Sequence, residues 1–245
     1  MMKLLLISNS TNAGEPYLAW PQQHIQKFCL KHQVKKVLFI PYAGVNLSDQ
    51  GLQASYDLYE ERVARVFSSL GLQLESIHHH DDPLQAVIEA ECVATGGGNT
   101  FHLVAELHRL GLMKAVRESA ISGMPYMGWS AGSNIACPSL RTTNDMPIVQ
   151  PASFDCMNLV PFQINPHYLD ANPEGHAGET REQRIEEFLA VNREITVVGL
   201  REGGLLEVES DRLHLKGEKN MRLFKYGEAP IEINPGSNID YLLMK

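Results

Sequence analysis

Residues 128–134 read Gly128-Trp129-Ser130-Ala131-Gly132-Ser133-Asn134, and the first five form a G-x-S-x-G pattern. A strand-like run that starts at Pro125 precedes the pattern, and Pro138 ends the short helix that we expect after it. This order is typical of a nucleophile elbow, a sharp strand-to-helix turn that exposes a serine hydroxyl and whose glycines relieve backbone crowding. Ser130 is therefore a candidate nucleophile, with an ordinary glycine-rich turn as the alternative.

Short β-rich runs alternate with amphipathic segments through the first half of the chain. This alternation predicts an α/β fold of three layers, a mostly parallel sheet with helices on both faces. Nearer the carboxyl end, residues 195–200 predict a strand, and residues 205–233 are typical of β-hairpins. No linker interrupts the chain, so we expect one domain over residues 1–245. The predicted strands of the first half are 3–8, 36–41, 72–78, 91–95 and 124–129, and the predicted helices are 20–33, 48–70, 83–90 and 100–122, with a break at Gly111.

The composition argues against several classes of function. A formal net charge of −8 argues against nucleic-acid binding, which needs a clustered basic face. The apolar run near the amino terminus is too short for a secretion signal, and no run is long enough to span a membrane, so we expect a cytoplasmic protein. The cysteines are widely spaced and form no CxxC pair. We expect reduced core thiols at Cys29, Cys92, Cys137 and Cys156.

An elbow serine needs a general base, and the chain contains ten histidines. We favour His167, because it follows a strand predicted over 158–165 and so lies just past the edge where parallel sheets assemble their sites. His176, in a polar stretch between Gly175 and Gly178, is the second choice. The alternative for His167 is a loop histidine that hydrogen-bonds only to the backbone.

The base in turn needs a carboxylate that holds its tautomer. Glu202 follows the apolar strand predicted at 195–200, which places it at the same edge of the sheet. Its alternative is a surface turn residue paired with Arg201. Asp145 and Asp170 are competing candidates for the acid.

A second glycine-rich stretch, Gly96-Gly97-Gly98-Asn99-Thr100, lies between a predicted strand and a predicted helix. Acyl transfer needs an oxyanion hole, normally made by the amide after the nucleophile and by a second amide from a nearby loop. We expect Ala131 and Gly98 to supply these two amides. Phosphate binding in the dinucleotide style is the alternative, although the sequence contains no complete G-x-G-x-x-G and no G-K-[ST].

The run His78-His79-His80-Asp81-Asp82 suggests a metal site. Adjacent side chains on an extended segment point to opposite faces, so three consecutive histidines rarely converge on one ion. Asp57 and Glu60, on the helix predicted at 48–70, are expected to face water. We therefore expect no metal here and interpret the run as a polar strand end before a helix that Asp82 caps.

Together these stretches resemble the peptidase E family of serine peptidases, the α-aspartyl dipeptidases, whose fold is similar to that of class I glutamine amidotransferases. The resemblance covers nearly the full length of the chain. Ser133 departs from it, because alanine is expected at that position. The motifs that carry the resemblance are 95–100, 128–134, 165–168, 178–182 and 199–203.

The resemblance implies a catalytic triad in which Ser130 is the nucleophile, His167 is the general base and Glu202 is the third member. This chain order differs from that of α/β-hydrolases, in which the acid precedes the histidine. The implied enzyme is a serine-type dipeptidase that needs no metal and no organic cofactor.

The resemblance also implies a small substrate, a dipeptide with an amino-terminal aspartate. The aspartate carboxylate needs a cation, and Arg181 is our candidate because a guanidinium can engage both oxygens. Arg181 would be unavailable if it paired with Glu179 or Glu182. Asp145, as a contact for the substrate amine or a pocket wall, and Asn99 are further candidate substrate-binding residues.

Two other functions stay open. One is a cyanophycinase-like peptidase that acts on larger aspartyl polymers, and the other is a non-catalytic amidotransferase-like binding protein without Ser–His–acid geometry. We expect no nucleic-acid or membrane partner, and a monomer or homodimer. The stretch 166–178 is our candidate for a loop that moves over the site.

Overall fold

A computed structural model describes residues 1–172, 175 and 177–244 of the chain. Within these residues, the strands are β1 (Lys3–Ile7), β2 (Lys36–Ile40), β3 (Gln73–Ser76), β4 (Val93–Thr95), β5 (Tyr126–Trp129), β6 (Gln163–Tyr168), β7 (Val197–Arg201), β8 (Gly204–Glu209), β9 (Arg212–Gly217), β10 (Met221–Phe224) and β11 (Ile231–Ile233). The α-helices are α1 (Gln22–Lys31), α2 (Leu52–Ser69), α3 (Pro83–Glu89), α4 (Thr100–Arg109), α5 (Leu112–Ile121), α6 (Ala131–Asn134) and α7 (Arg181–Val191).

The strands form a larger and a smaller sheet. The larger sheet has the order β3-β2-β4-β5-β1-β8-β9, in which the first five strands run parallel and the last two join antiparallel. The smaller sheet has the order β11-β10-β7-β6, in which β6 and β7 are parallel and the other pairs are antiparallel. The prediction of an α/β fold with a mostly parallel sheet and carboxyl-terminal hairpins, here β8–β9 and β10–β11, is confirmed.

Two hydrophobic clusters lie on opposite faces of the larger sheet. Successive residues of β1 alternate between them, Leu4 and Leu6 in the first and Leu5 and Ile7 in the second, because neighbouring side chains of a strand point to opposite faces. The first cluster also contains side chains of α3, α4, α5 and the smaller sheet, and the second contains those of α1 and α2. The sheet is therefore covered on both faces, as predicted.

No helix among the described residues combines the length and the apolar character that a membrane crossing requires.

Strand β6 differs from its prediction. The expectation that a strand over 158–165 ends before His167 is wrong, because His167 lies within β6. The residues before β6 leave the extended conformation at Asn158, whose φ is 48°. The pairing of β6 with β7 shifts register between Pro166 and Tyr168, and His167 between them has a φ of 52°. Such a bulge leaves one residue out of the ladder and re-aims its side chain.

The histidine run also differs from its prediction. Strand β3 stops before the run, and Ile77–His79 form a turn of 3-10 helix. The ladder ends here because the partner strand β2 is followed by Pro41, which has no N–H to donate. The expectation that neighbouring histidines point to opposite faces is therefore wrong for His78 and His79, whose ring centroids lie 3.9 Å apart. The carboxylate of Asp82 does cap α3, because it accepts a backbone N–H at 3.1 Å.

The cysteines are buried and free, as expected of core thiols. Burial raises the pKa of the Cys29 thiol to about 12 and raises the pKa of Cys92, Cys137 and Cys156 as well. These thiols therefore stay protonated at neutral pH, and a protonated thiol is a poor nucleophile. The prediction of reduced core thiols is confirmed.

Tyr59 of α2 connects the helix layer to the glycine-rich loop 96–99. Its side chain is 4% exposed, and its hydroxyl donates to the Gly97 carbonyl at 2.9 Å. The same oxygen accepts from Trp129 Nε1 at 3.1 Å. Burial raises the pKa of Tyr59, so the hydroxyl keeps its proton. Gly96 must lack a side chain here, because an added Cβ would lie 2.5 Å from the Tyr59 hydroxyl oxygen.

We expect Tyr59→Phe to lower the free energy of unfolding by about 1–3 kcal/mol, because the substitution leaves the buried Gly97 carbonyl and Trp129 N–H without their partner. Urea denaturation measures the loss. Tyr17→Phe is the control, since it removes a hydroxyl that contacts Tyr59 at 3.3 Å but leaves both other hydrogen bonds in place. Equal losses for the two variants would contradict the role given to Tyr59.

Candidate active site

Ser130 joins the end of β5 to the start of α6. Its φ of 54° and ψ of −112° are unusual for a residue with a side chain and are typical of a strained functional position. An added Cβ at Gly128 would lie 2.3 Å from the Gly132 carbonyl oxygen, and one at Gly132 would lie 2.1 Å from the Thr95 carbonyl oxygen. Both glycines of the pattern are thus sterically required, and the local geometry is that of the predicted elbow.

His167 lies between Ser130 and Glu202. Its Nε2 is 2.9 Å from Ser130 Oγ, and its Nδ1 is 2.6 Å from Glu202 Oε1. One tautomer satisfies both contacts, because Nδ1–H can donate to the carboxylate while Nε2 accepts from the serine hydroxyl. This arrangement allows an imidazole to take the proton of an attacking serine, and it counts against the non-catalytic alternative. The second-choice base, His176, lies outside the described residues.

The end of β1 holds two of these residues in place. The Ser130 N–H donates to the Ile7 carbonyl at 3.0 Å. The hydroxyl of Ser8, which is fully buried, accepts from the His167 N–H at 3.0 Å and donates to the Leu200 carbonyl at 2.7 Å. The N–H of the bulged His167, which has lost its ladder partner, therefore hydrogen-bonds to Ser8, the residue that follows β1.

Asn9 holds the backbone next to Glu202. Its Oδ1 accepts from the N–H of Gly203, the residue after Glu202, at 2.9 Å. Sequence analysis missed both Ser8 and Asn9. The signal that could have revealed them is the abrupt change from a buried apolar strand to consecutive polar residues at a sheet edge.

The competing acids do not contact His167. Asp170 forms an ion pair with Arg201, which lowers the pKa of the Asp170 carboxyl. Arg201 also donates to Glu232, so its guanidinium is engaged away from Glu202, and the alternative Arg201–Glu202 pair is absent from the described residues. Asp145 lies on a separate loop.

Gly97 and Gly98 line the pocket that contains Ser130. Gly98 has a φ of 134°, and an added Cβ would lie 2.1 Å from the Ala43 carbonyl oxygen. An added Cβ on Gly97 would lie 2.8 Å from the Cβ of Ser130. In the described part of the chain, the N–H groups of Gly98 and Ala131 donate to no protein acceptor. Both amides are therefore available to a ligand, and their oxyanion role stays a prediction.

Asn99 and Asp145 line the same pocket, but several of their polar atoms are engaged within the protein. Asn99 caps α4, since its Oδ1 accepts from the His102 N–H at 3.0 Å, and its Nδ2 donates to the Met146 carbonyl at 2.9 Å. Asp145 Oδ2 accepts from the N–H and the hydroxyl of Thr100 at 2.7 and 2.6 Å. A carboxylate at the first turn of a helix is stabilised by the helix dipole. Both residues shape the pocket wall, and their contacts with substrate stay predictions.

Arg181 does not form either of the ion pairs that would make it unavailable. Glu182 pairs with Arg222 at 2.5 Å, and Glu179 pairs with Arg184 at 3.7 Å. Among the described residues, no carboxylate lies within the 4.0 Å of an ion pair with the Arg181 guanidinium. Burial, followed by the nearby charge of Arg184, lowers the pKa of Arg181.

The position of Arg181 differs from that of the other candidates. It lines a depression next to the Ser130 pocket, and Asp145 borders both. The structure thus places Arg181 beside the pocket that holds the predicted nucleophile.

A second cation, Arg62, lines the Ser130 pocket itself, and sequence analysis missed it. Its guanidinium carbon lies 5.6 Å from the centroid of the Tyr17 ring. Arg62 follows Tyr59 by three residues on α2, and residues at this spacing share a helix face. This spacing is the signal that could have revealed Arg62 once Tyr59 was assigned to the core.

The chain matches known proteins over nearly its whole length. Peptidase family S51 matches residues 4–216. Peptidase E from Nostoc sp. is 48% identical over 241 residues, which cover 98% of this chain and 96% of that protein. Peptidase E from Streptomyces coelicolor is 47% identical over 243 residues, which cover 99% of this chain and 95% of that protein.

Two solved structures have a similar fold. A putative peptidase E protein from Listeria monocytogenes has a TM-score of 0.61 and 24% identity, with 89% of this chain and 98% of that chain covered. A peptidase from an acI-B1 Actinobacterium has a TM-score of 0.70 and 15% identity, with 98% and 96% covered. At these identities the likeness concerns the fold alone.

Sequence matches of this extent assign the chain to one family, and the α/β fold agrees with that assignment. The chain is a member of peptidase family S51, and it is a peptidase.

Proposed function

We propose that this peptidase hydrolyses dipeptides with an amino-terminal aspartate through an acyl-enzyme on Ser130. The observation that carries the proposal is the pair of contacts at His167, 2.9 Å to Ser130 Oγ and 2.6 Å to Glu202 Oε1. The similarity to proteins named peptidase E supports the choice of substrate. The cytoplasmic location and the monomeric or homodimeric state expected from the sequence belong to the same proposal.

The first half of the reaction forms the acyl-enzyme. Ser130 Oγ attacks the carbonyl carbon of the aspartyl residue while His167 Nε2 takes the hydroxyl proton. The N–H groups of Gly98 and Ala131 donate to the oxyanion, and Glu202 stabilises the imidazolium. His167 then gives its proton to the departing amine as the peptide C–N bond breaks.

The second half releases aspartate. A water molecule transfers a proton to His167 and attacks the acyl carbon, and the imidazolium returns its proton to Ser130 Oγ as the ester bond breaks. The exposure of His167 and Glu202, at 40% and 44% of their side chains, leaves the base open to this water. The scheme needs no cofactor.

We expect Ser130→Ala to lower kcat for Asp-p-nitroanilide by about 10⁴-fold or more, because the nucleophile is lost. Glu202→Gln should lower kcat by roughly 10⁴-fold, since an amide favours the wrong imidazole tautomer and does not stabilise the imidazolium charge. Asp170→Asn is the matched control, an acid near the site that does not contact His167, and it should change kcat less than about threefold.

Undiminished turnover by Ser130→Ala would overturn the acyl-enzyme. Complete loss of wild-type activity with a chelator would assign the chemistry to a metal instead. Cleavage of longer aspartyl peptides without cleavage of Asp-Leu would favour the cyanophycinase-like alternative.

The buried hydroxyl of Ser8 should matter to rate, because it positions the backbone of His167. We expect Ser8→Ala to lower kcat about tenfold, which corresponds to about 1.4 kcal/mol, with little change in KM. Ser133→Ala is the control, since it removes an equally buried hydroxyl whose oxygen lies 2.7 Å from the Ile7 and Gly128 carbonyls and does not contact His167. Similar losses of kcat in both variants would reduce the role of Ser8 to general stability.

Arg181 is the cation that we assign to the substrate carboxylate. Arg181→Gln should lower kcat/KM for Asp-Leu by roughly 10- to 100-fold, since a hydrogen bond to a charged group contributes about 1.5–3 kcal/mol. The same variant should change kcat/KM for Asn-Leu, which lacks the carboxylate, much less. Arg62→Gln is the competing variant. A larger loss of kcat/KM in this variant, confined to Asp-Leu, would show that Arg62 binds the substrate carboxylate instead.

A further inference from the structure

Asp57, Glu60, His78 and His79 form a compact cluster, here termed the α2–histidine cluster, between α2 and the turn after β3. His78 Nε2 lies 2.9 Å from Asp57 Oδ1, and His79 Nε2 lies 3.6 Å from the same oxygen. His79 Nε2 is also 2.8 Å from Glu60 Oε2. The expectation that these acids face water is confirmed for Asp57, whose side chain is 50% exposed, and wrong for Glu60, whose side chain is 21% exposed. Both also contact a histidine.

The hydrogen bonds of His78 allow its Nε2 atom to present a lone pair toward the Asp57 carboxylate. Ser76 Oγ is 3.4 Å from the Phe39 carbonyl and 2.6 Å from His78 Nδ1. A serine hydroxyl has one proton, so when it donates to the carbonyl it accepts from Nδ1–H, and Nε2 of a neutral ring then presents a lone pair. That lone pair faces a carboxylate oxygen at 2.9 Å. When the hydroxyl instead donates to Nδ1, which is the shorter contact, Nε2–H donates to Asp57 Oδ1, so a proton or a metal ion in its place satisfies this pair.

The donors suit a transition-metal ion. The ligand atoms of Asp57, His78 and His79 lie within 4.8 Å of one another, and a tetrahedral zinc site with bonds near 2.0–2.2 Å places its ligands roughly 3.3 Å apart. Two imidazoles select zinc, copper or nickel over magnesium and calcium, and two carboxylates balance a divalent charge. We propose that the α2–histidine cluster binds one divalent transition-metal ion, with Asp57, His78 and His79 as ligands and Glu60 beside them.

The surroundings of the cluster resemble the support that metal ligands receive in proteins. His78 is 3% exposed and oriented through Nδ1 by Ser76, and Glu60 Oε1 accepts from the Ser76 N–H at 3.0 Å. Such contacts to the far side of a ligand fix its ring orientation and raise its affinity for metal. His79 and Asp57 are 53% and 50% exposed, which leaves a path for the ion to enter.

The site would connect α2 to the end of β3 and takes no part in the proposed chemistry. None of its ligands lines the Ser130 pocket. It therefore does not rest on the proposed function, and binding can be measured whether or not the enzyme is active.

Titration of ZnCl₂ into the full chain, without an affinity tag and freed of metal, tests the proposal by calorimetry. We expect one equivalent to bind and the unfolding temperature to rise with zinc concentration. His79→Ala should weaken binding at least about tenfold, since it removes a ligand on the exposed side of the cluster. Asp57→Asn should weaken binding as well.

Two control variants separate this site from other histidines. His80→Ala removes the next histidine of the run, which lies 3.7 Å from Glu75, and should leave zinc affinity within about twofold. His167→Ala should also keep the one-equivalent site. The proposal is overturned if no stoichiometric binding occurs, if His79→Ala and Asp57→Asn bind as the wild type does, or if either control variant loses the site.

Discussion

The carboxyl end of β1 is the structural reference for the whole site. Three consecutive residues there hold the backbone of the Ser–His–Glu arrangement: the Ile7 carbonyl accepts from Ser130, the Ser8 hydroxyl accepts from His167, and the Asn9 side chain accepts from Gly203, which follows Glu202. Strand β1 is suited to this task, because it lies between β5 and β8 in the larger sheet and its last four side chains are fully buried. An element packed on both faces and paired on both edges has little freedom to move. Positions set by it are therefore reproducible to the tolerance that proton transfer requires.

The hydrogen bonds from β1 also explain how two strained residues persist at the site. Ser130 and His167 both have positive φ, at 54° and 52°, and such conformations cost about 1–3 kcal/mol each in residues with side chains. The Ser130 N–H donates to Ile7 at the end of β1, and the His167 N–H donates to Ser8 just after it, at 3.0 Å in both cases. The hydrogen bonds that offset the backbone strain therefore lie at the strained residues themselves, where a serine hydroxyl and an imidazole must meet.

Close backbone packing is the other condition for this geometry. The elbow, the end of β4 and the loop 96–99 approach so closely that side chains at Gly128, Gly132 or Gly98 would collide with carbonyl oxygens. Tyr59 fixes the loop from the helix layer. The same helix carries Arg62, which lines the Ser130 pocket, and carries Asp57 and Glu60 of the α2–histidine cluster, which lies outside that pocket.

Most of the fold and the three central site residues could be predicted from local sequence. The strand, elbow and helix around Ser130 follow from residue order and glycine sterics, and Glu202 was correctly expected at the sheet edge after a buried strand. The contacts of Ser8 and Asn9 could not be predicted, because their partners lie 159 and 194 residues away in the chain. The bulge at His167 and the turn at His78 depend on where a neighbouring strand stops, which no local pattern encodes.

The sequence by itself therefore determined the α/β class, the elbow and the residue types available for acyl transfer, since these depend on periodicity, glycine placement and side-chain chemistry within short windows. Tertiary structure separated Glu202 from the competing acids at His167, and it alone decided which cation lies in the pocket and whether neighbouring histidines converge. Those outcomes depend on distances between separate strands and helices, and these distances are set only when β1, β5, β6 and β7 pack with their ends together.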